Sequence, residues 1–193
     1  MRTKSTRFLG RLAATAVCTV AIAGGTAAAS HASTSTAPDK ASAAAAARPT
    51  LKVPFPCNEE WRGQTWSGHS PDRAIDFNQG SGNSDLGQTV KSSGSGTVTA
   101  AGVGEGGYGN RVIVSHGNGW STLYAHLNSI SVHNGQAITA NTTIGTVGKS
   151  GGQATSHLHY EQRLNGNDVS IRFGSATWVK YYETAYFTRT VGC

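Results

Sequence analysis

Beyond about residue 57 the apolar positions come in short alternating runs and not at helical spacing. Gly96-Thr97-Val98-Thr99-Ala100, Arg111-Val112-Ile113-Val114-Ser115 and Trp120 to Leu127 are rich in Val, Ile, Thr and Tyr, side chains that suit a pleated, half-buried surface. Gly135-Gln136-Ala137-Ile138, Gly145-Thr146-Val147-Gly148 and Val169-Ser170-Ile171-Arg172 continue the series. Short strands separated by turn signals predict an all-β fold, a small barrel or sandwich of glycine-rich antiparallel strands. Asn118-Gly119 and Asn134-Gly135 read as hairpin-type turns, and Gly104 to Asn110 as a glycine-rich loop interrupted by Tyr108. Asp85 to Lys91 is ambiguous, and Thr177 to Tyr186 fits either a short helix or an aromatic edge strand. Helix is therefore expected as a minor component, and no internal repeat is visible.

The first third of the chain lacks this pattern. Arg2, Lys4, Arg7 and Arg11 precede an apolar run from Leu12 to Ala23, and small residues follow through Ala29 and Ala32. That order is a secretory signal peptide, expected over 1–32 with cleavage after Ala29 or Ala32. The run is too short to span a bilayer. Cys18 lies inside it without the leucine-led box of a lipoprotein, which makes lipid anchoring the lesser reading. Residues 33–55 are mostly Ala, Ser, Thr and Pro and read as a linker or short pro-segment. One domain is expected over 56–193.

The formal charge of +6 arises from 16 basic and 10 acidic residues. It is concentrated in the leader and tether, since nine Lys and Arg face nine Asp and Glu from Cys57 onward. Nucleic-acid binding is therefore not inferred from the pI. The mature protein is expected outside the cytoplasm, without a membrane anchor and as a monomer. Cys57 and Cys193 are the two cysteines left after export, and an oxidising compartment favours their pairing over free or intermolecular thiols. Closing so long a loop would stabilise by roughly 4–5 kcal/mol on the chain-entropy account.

Chemistry enters with the histidines. His69, Asp76, His126 and the run Ser156-His157-Leu158-His159-Tyr160 contain the residue types a zinc hydrolase needs. On a strand, His157 and His159 face the same way, about 7 Å apart at a rise of roughly 3.3 Å per residue, while Leu158 faces the other way. Two imidazoles, one carboxylate and a water satisfy a tetrahedral zinc ion. No Ser-His-Asp series or HExxH helix competes. His116 and His133 sit beside turn residues and are assigned to the surface, and Ser156 to ordinary strand sequence. Trp61, Trp66, Trp120, Tyr108 and Tyr124 are assigned first to core or sheet-face packing and second to a substrate groove.

An ordered series of segments resembles the lysostaphin-like zinc endopeptidases, also called the β-lytic metallopeptidase family, which cut peptide bridges in bacterial peptidoglycan. The resemblance runs from about Gly68 to Gln162. It is carried by Ala74-Ile75-Asp76-Phe77, Gly94-Ser95-Gly96-Thr97-Val98, Tyr108 to Gly117, Leu123-Tyr124-Ala125-His126-Leu127, Ile144 to Gly151, and His157-Leu158-His159-Tyr160-Glu161. It implies an all-β fold of that type and assigns His69, Asp76 and His159 as ligands of Zn²⁺, with His126 and His157 as catalytic histidines. Which histidine is the base stays open. Glu161 shares the strand face of His157 and His159, where it can orient an imidazole or serve as a solvated rim carboxylate.

The resemblance departs from the family pattern at the first ligand. Six residues separate His69 from Asp76, against the family's usual three, and the insertion brings a competing carboxylate, Asp72. Asp76 is preferred because Ala74-Ile75 leads into it like a strand, whereas Pro71-Asp72 reads as a turn. The expected function is a secreted zinc endopeptidase acting on peptidoglycan cross-links or bridges. The alternatives are a non-catalytic wall-binding or amidase-activating relative and a secreted metallopeptidase acting on proteins.

Overall fold

A computed structural model describes residues 47–175 and 177–193, with Thr177 and Trp178 represented by their backbone. The signal peptide expected over 1–32, and the linker as far as residue 46, lie outside the described residues. The strands are β1 (Glu60–Gln64), β2 (Ile75–Asn78), β3 (Thr89–Lys91), β4 (Gly96–Gly104), β5 (Gly109–Gly117), β6 (Trp120–Ala125) and β7 (Ser129–Ile130). They continue with β8 (Ala137–Ile138), β9 (Thr143–Thr146), β10 (Leu158–Leu164), β11 (Asn167–Val169), β12 (Arg172–Phe173), β13 (Thr177–Trp178) and β14 (Thr184–Thr188).

The main sheet runs β14-β1-β2-β10-β6-β5-β4-β8, with β11 paired to β10. A second sheet, β3-β9-β7, and the small pair β12-β13 complete the fold. Every pairing between the strands is antiparallel. The arrangement is sandwich-like and is not a closed barrel. No described residue is helical, so the expected minor helix is corrected. Its candidate segment instead splits between β13 and β14. Phe187 of β14 turns inward onto the core, whereas Tyr186 beside it is exposed, the alternation of an edge strand.

Alternation explains the core. Ile75 and Phe77 of β2, Leu158 and Tyr160 of β10, and Val112 and Val114 of β5 point inward, joined by Val90, Ile144 and Val147 from the second sheet and its edge. The intervening positions of β2 and β10 face the other side of the main sheet, and there Asp76, His159 and Glu161 are buried as well. A sheet buried on both faces at its centre is the setting for the site.

Two local expectations are revised and one holds. Leu51, Val53 and Phe55 are buried, and Phe55 stacks on Trp61 with ring centroids 3.7 Å apart. The last residues of the stretch read as linker therefore pack into the domain, because three apolar side chains at alternate positions find a place on the core. Asn118 and Gly119 both have positive φ, 50° and 79°, and close the β5–β6 hairpin as expected. At Asn134-Gly135 only the glycine is left-handed, and the turn does not join paired strands.

Cys57 and Cys193 form a disulfide, with Cα atoms 5.8 Å apart. Among the described residues no helix is long and apolar enough to cross a membrane.

Candidate active site

Strand register assembles the site. His159 on β10 pairs with Asp76 on β2 and with Ala125 on β6, so three adjacent strands place Asp76, His159 and the residue before His126 in one row. His126 follows the end of β6 with φ of 60°, an uncommon left-handed conformation for a non-glycine residue. His157 precedes β10 and bridges to Gly148. His69 comes from the β1–β2 connection, which contains a cis Ser70–Pro71 peptide.

His69, Asp76 and His159 offer one ligand atom each, all within 4.8 Å of one another. His69 Nε2 lies 3.2 Å and His159 Nδ1 3.0 Å from the same oxygen, Asp76 Oδ1. The other nitrogen of His69, Nδ1, is buried without a hydrogen-bond partner. Two imidazole nitrogens and a carboxylate oxygen converging beside the groove match the donor set zinc prefers. The residues thus fit a zinc ion. Asp72, the competing carboxylate, is exposed and outside this cluster.

The other nitrogen of His159, Nε2, donates to Glu161 Oε1 at 3.0 Å. Glu161 is fully buried and also accepts from Tyr108 Oη at 2.8 Å and from Arg163 Nε at 2.6 Å. Burial opposes ionisation of Glu161, yet the bonds from His159 and Arg163 outweigh it and bring its pKa down to about 2. Burial likewise disfavours a charged His159, but the bonds to Asp76 and Glu161 win and raise it to about 9. Burial works against the Asp76 carboxylate too, and the bonds from His159 and His69 nevertheless hold it well below the usual range.

His126 behaves oppositely. Burial first, then the neighbouring His157 and His159, lower its pKa to about 4. Its Nδ1 lies 2.9 Å from the Ser150 carbonyl oxygen, and the His126 and His157 rings are 4.7 Å apart edge to face. His157 Nδ1 lies 3.1 Å from the Thr155 carbonyl oxygen, and its Nε2 is 3.5 Å from Asp76 Oδ2.

All five sequence-identified residues line one cavity of about 170 Å³. Trp66, half exposed, tilts over His69 at 4.3 Å between ring centroids, while Trp61, Trp120 and Tyr124 are buried. Trp66 and Tyr108 thus stand at the groove, and the other aromatics pack inside.

Arg163 was missed in the sequence, although its place two residues beyond Glu161 on the same strand face was a usable signal. Ser156 is more than ordinary strand sequence: it is buried and its hydroxyl donates to Asp85. His116 is half-buried and not free at the surface, with its ring nitrogens 2.8 Å from Ser95 O and 2.9 Å from Thr122 Oγ1.

An antiparallel β scaffold that gathers a buried His–Asp–His cluster at the floor of a groove has the architecture of a metallopeptidase. The chain belongs to Peptidase family M23, whose sequence model matches residues 71–171. The match begins two residues after His69. A stretch of 84 residues is 44% identical to the DD-carboxypeptidase/endopeptidase Mpg of Neisseria meningitidis, covering 44% of this chain and 19% of that protein. Over 84 residues the chain is also 34% identical to the murein hydrolase activator NlpD of Salmonella dublin, 44% of this chain and 22% of that protein. The matched stretch is thus about a fifth of either relative's length. Among solved structures, the M23 metalloprotease pseudoalterin from the deep sea superimposes with a TM-score of 0.53 at 25% identity, covering 65% of this chain and 76% of that one.

Proposed function

We propose that the protein is an exported, zinc-dependent endopeptidase that hydrolyses peptide bonds in bacterial peptidoglycan. The observation that carries this reading is the convergence of His69, Asp76 and His159 beside His126 and His157 in one groove. The likeness to a DD-carboxypeptidase/endopeptidase supports a wall peptide as substrate.

In this reading His69 Nε2, an Asp76 oxygen and His159 Nδ1 hold the ion. Bound zinc supplies a water of lowered pKa and polarises the scissile carbonyl. Glu161 fixes the tautomer and ring orientation of His159 by accepting from its far nitrogen. Because the Ser150 carbonyl can only accept, His126 carries its proton on Nδ1 and presents Nε2 as a lone pair. With a pKa of about 4, that imidazole is neutral at physiological pH, so its Nε2 lone pair is open to a proton. His157 is anchored similarly, but its Nε2 faces Asp76. His126 is accordingly the base, and His157 positions or stabilises charge beside it. Trp66 and Tyr108 flank the cluster and hold the peptide over it.

The test is mass spectrometry of purified peptidoglycan after incubation with the protein, with and without a zinc chelator. New peptide ends that vanish with chelator and return with added zinc are expected, and they identify the bond. Intact fragments beside folded, zinc-loaded protein would overturn the reading in favour of a wall-binding or hydrolase-activating role, or of a protein substrate.

A further inference from the structure

The floor of the site continues past the His–Asp cluster onto β1. Gln64 pairs with Asp76 and Arg62 with Asn78, so these four residues share one face of the sheet. A second cavity of about 270 Å³ lies over them, lined by Arg62, Gln64, Asn78 and Asp85 among others. It shares Trp66, Asp76 and His157 with the first cavity. The two therefore form one groove that crosses the cluster, leaving a peptide bond over the cluster with flanking chain in both directions.

The two halves differ in charge. The half beside Tyr108 has no lysine or arginine in its lining, whereas the half on β1 has one, Arg62. Arg62 Nε is buried and has no hydrogen-bond partner, and among the described residues Arg62 forms no ion pair. The two carboxylates in that cavity are already engaged: Asp76 by His69 and His159, and Asp85 by Ser156, which donates to Oδ1, and by the Gln79 backbone N–H, 3.1 Å from Oδ2. A half-buried guanidinium without an anion has a planar fork of donors matched to a carboxylate.

We propose that Arg62 forms a subsite for a carboxylate of the bound peptide, on the β1 side of the bond lying over the cluster. The inference rests on the hydrolytic reading above and deepens it by assigning a charge requirement to one flank of the substrate. Wall stem peptides carry such free carboxylates, so the subsite would favour them over their amidated forms.

The experiment uses a purified cross-linked muropeptide dimer and the same dimer with its carboxylates converted to carboxamides. The wild-type protein is expected to prefer the carboxylate dimer by roughly ten- to hundred-fold in kcat/KM, the scale of a charge-assisted pair. In Arg62→Gln that ratio should collapse toward one, mainly through KM, with zinc content and melting temperature unchanged. Equal cleavage of both dimers by the wild type, or a ratio that persists in Arg62→Gln, overturns the subsite.

Cleavage of neither dimer would instead fail the hydrolytic reading, and equilibrium binding of the muropeptide monomer then decides the subsite. Tighter binding of the carboxylate form, lost in Arg62→Gln, keeps it. Equal binding of the two forms rejects it.

Discussion

Replacing Glu161 by glutamine keeps the shape of the side chain behind His159 but removes its charge. One amide oxygen can still accept from His159 Nε2, now 3.0 Å from a carboxylate oxygen. Tyr108 Oη donates to that same oxygen, so the amide nitrogen takes the place of Oε2 and faces Arg163 Nε, at 2.6 Å. Against Arg163 it sets donor against donor. The imidazole loses the anion that raises its basicity, a change that typically weakens metal binding by about 10–100-fold. At 1.4 kcal/mol per tenfold, that is roughly 1.4–2.8 kcal/mol of zinc affinity.

Folding stability should also fall. Breaking a buried ion pair costs about 3–5 kcal/mol, but the Arg163 side chain is 18% exposed, so water relieves part of the loss and the lower end applies. Zinc affinity is measured by competition with a fluorescent chelator, and stability by thermal melting of the metal-free protein. A variant that melts earlier yet binds zinc within twofold of wild type would refute the orienting role and leave Glu161 as a structural anchor.

Other substitutions separate the two kinds of histidine. His159→Ala should lose tight zinc binding together with activity, while His157→Ala should keep most of its metal and lose about 10²–10⁴-fold in turnover; fully active, metal-replete His159→Ala would sink the ligand set. Because His159 is raised to about 9, its Nδ1 is protonated below that pH in the metal-free protein, and a ligating nitrogen must give up the proton. Zinc binding at pH 7 should therefore release about one proton from this site, seen as a dependence of the calorimetric heat on the ionisation enthalpy of the buffer; identical heats in all buffers would contradict it. Opening the Cys57–Cys193 disulfide, which closes a separation of 136 residues, should cost roughly 4–5 kcal/mol and lower the melting temperature by about 10–15 °C. An unchanged melt in reductant would show that the bond adds nothing.

Period-two patterning made the strand part of the site legible. Ile75 and Phe77 announce the inward face of β2, which leaves Asp76 on the other, and Leu158 and Tyr160 do the same for His159. Proximity between those two strands is a tertiary fact that alternation alone does not state, and the family resemblance supplied it. The position of His69 depends on a loop whose path no periodicity encodes, and the alternative carboxylate on that loop, Asp72, is exposed. Glu161 was visible as a same-face residue, but of its three donors only His159 and Arg163 share its strand, and Tyr108 reaches it from a glycine-rich turn. Leu51, Val53 and Phe55 were hidden by the composition around them, since three apolar side chains in an Ala- and Pro-rich stretch do not look like core.

The floor of the groove is the face of a sheet and not its edge. The backbone N–H and C=O groups of β2 and β10 are committed to neighbouring strands on both sides, so a peptide lying there finds no ladder to join. A peptide that docks as an added strand draws its affinity from the main-chain hydrogen bonds of such a ladder. A peptide in this groove would be held by side chains and by the loop glycines Gly106 and Gly107 that line it, and not by a strand partner.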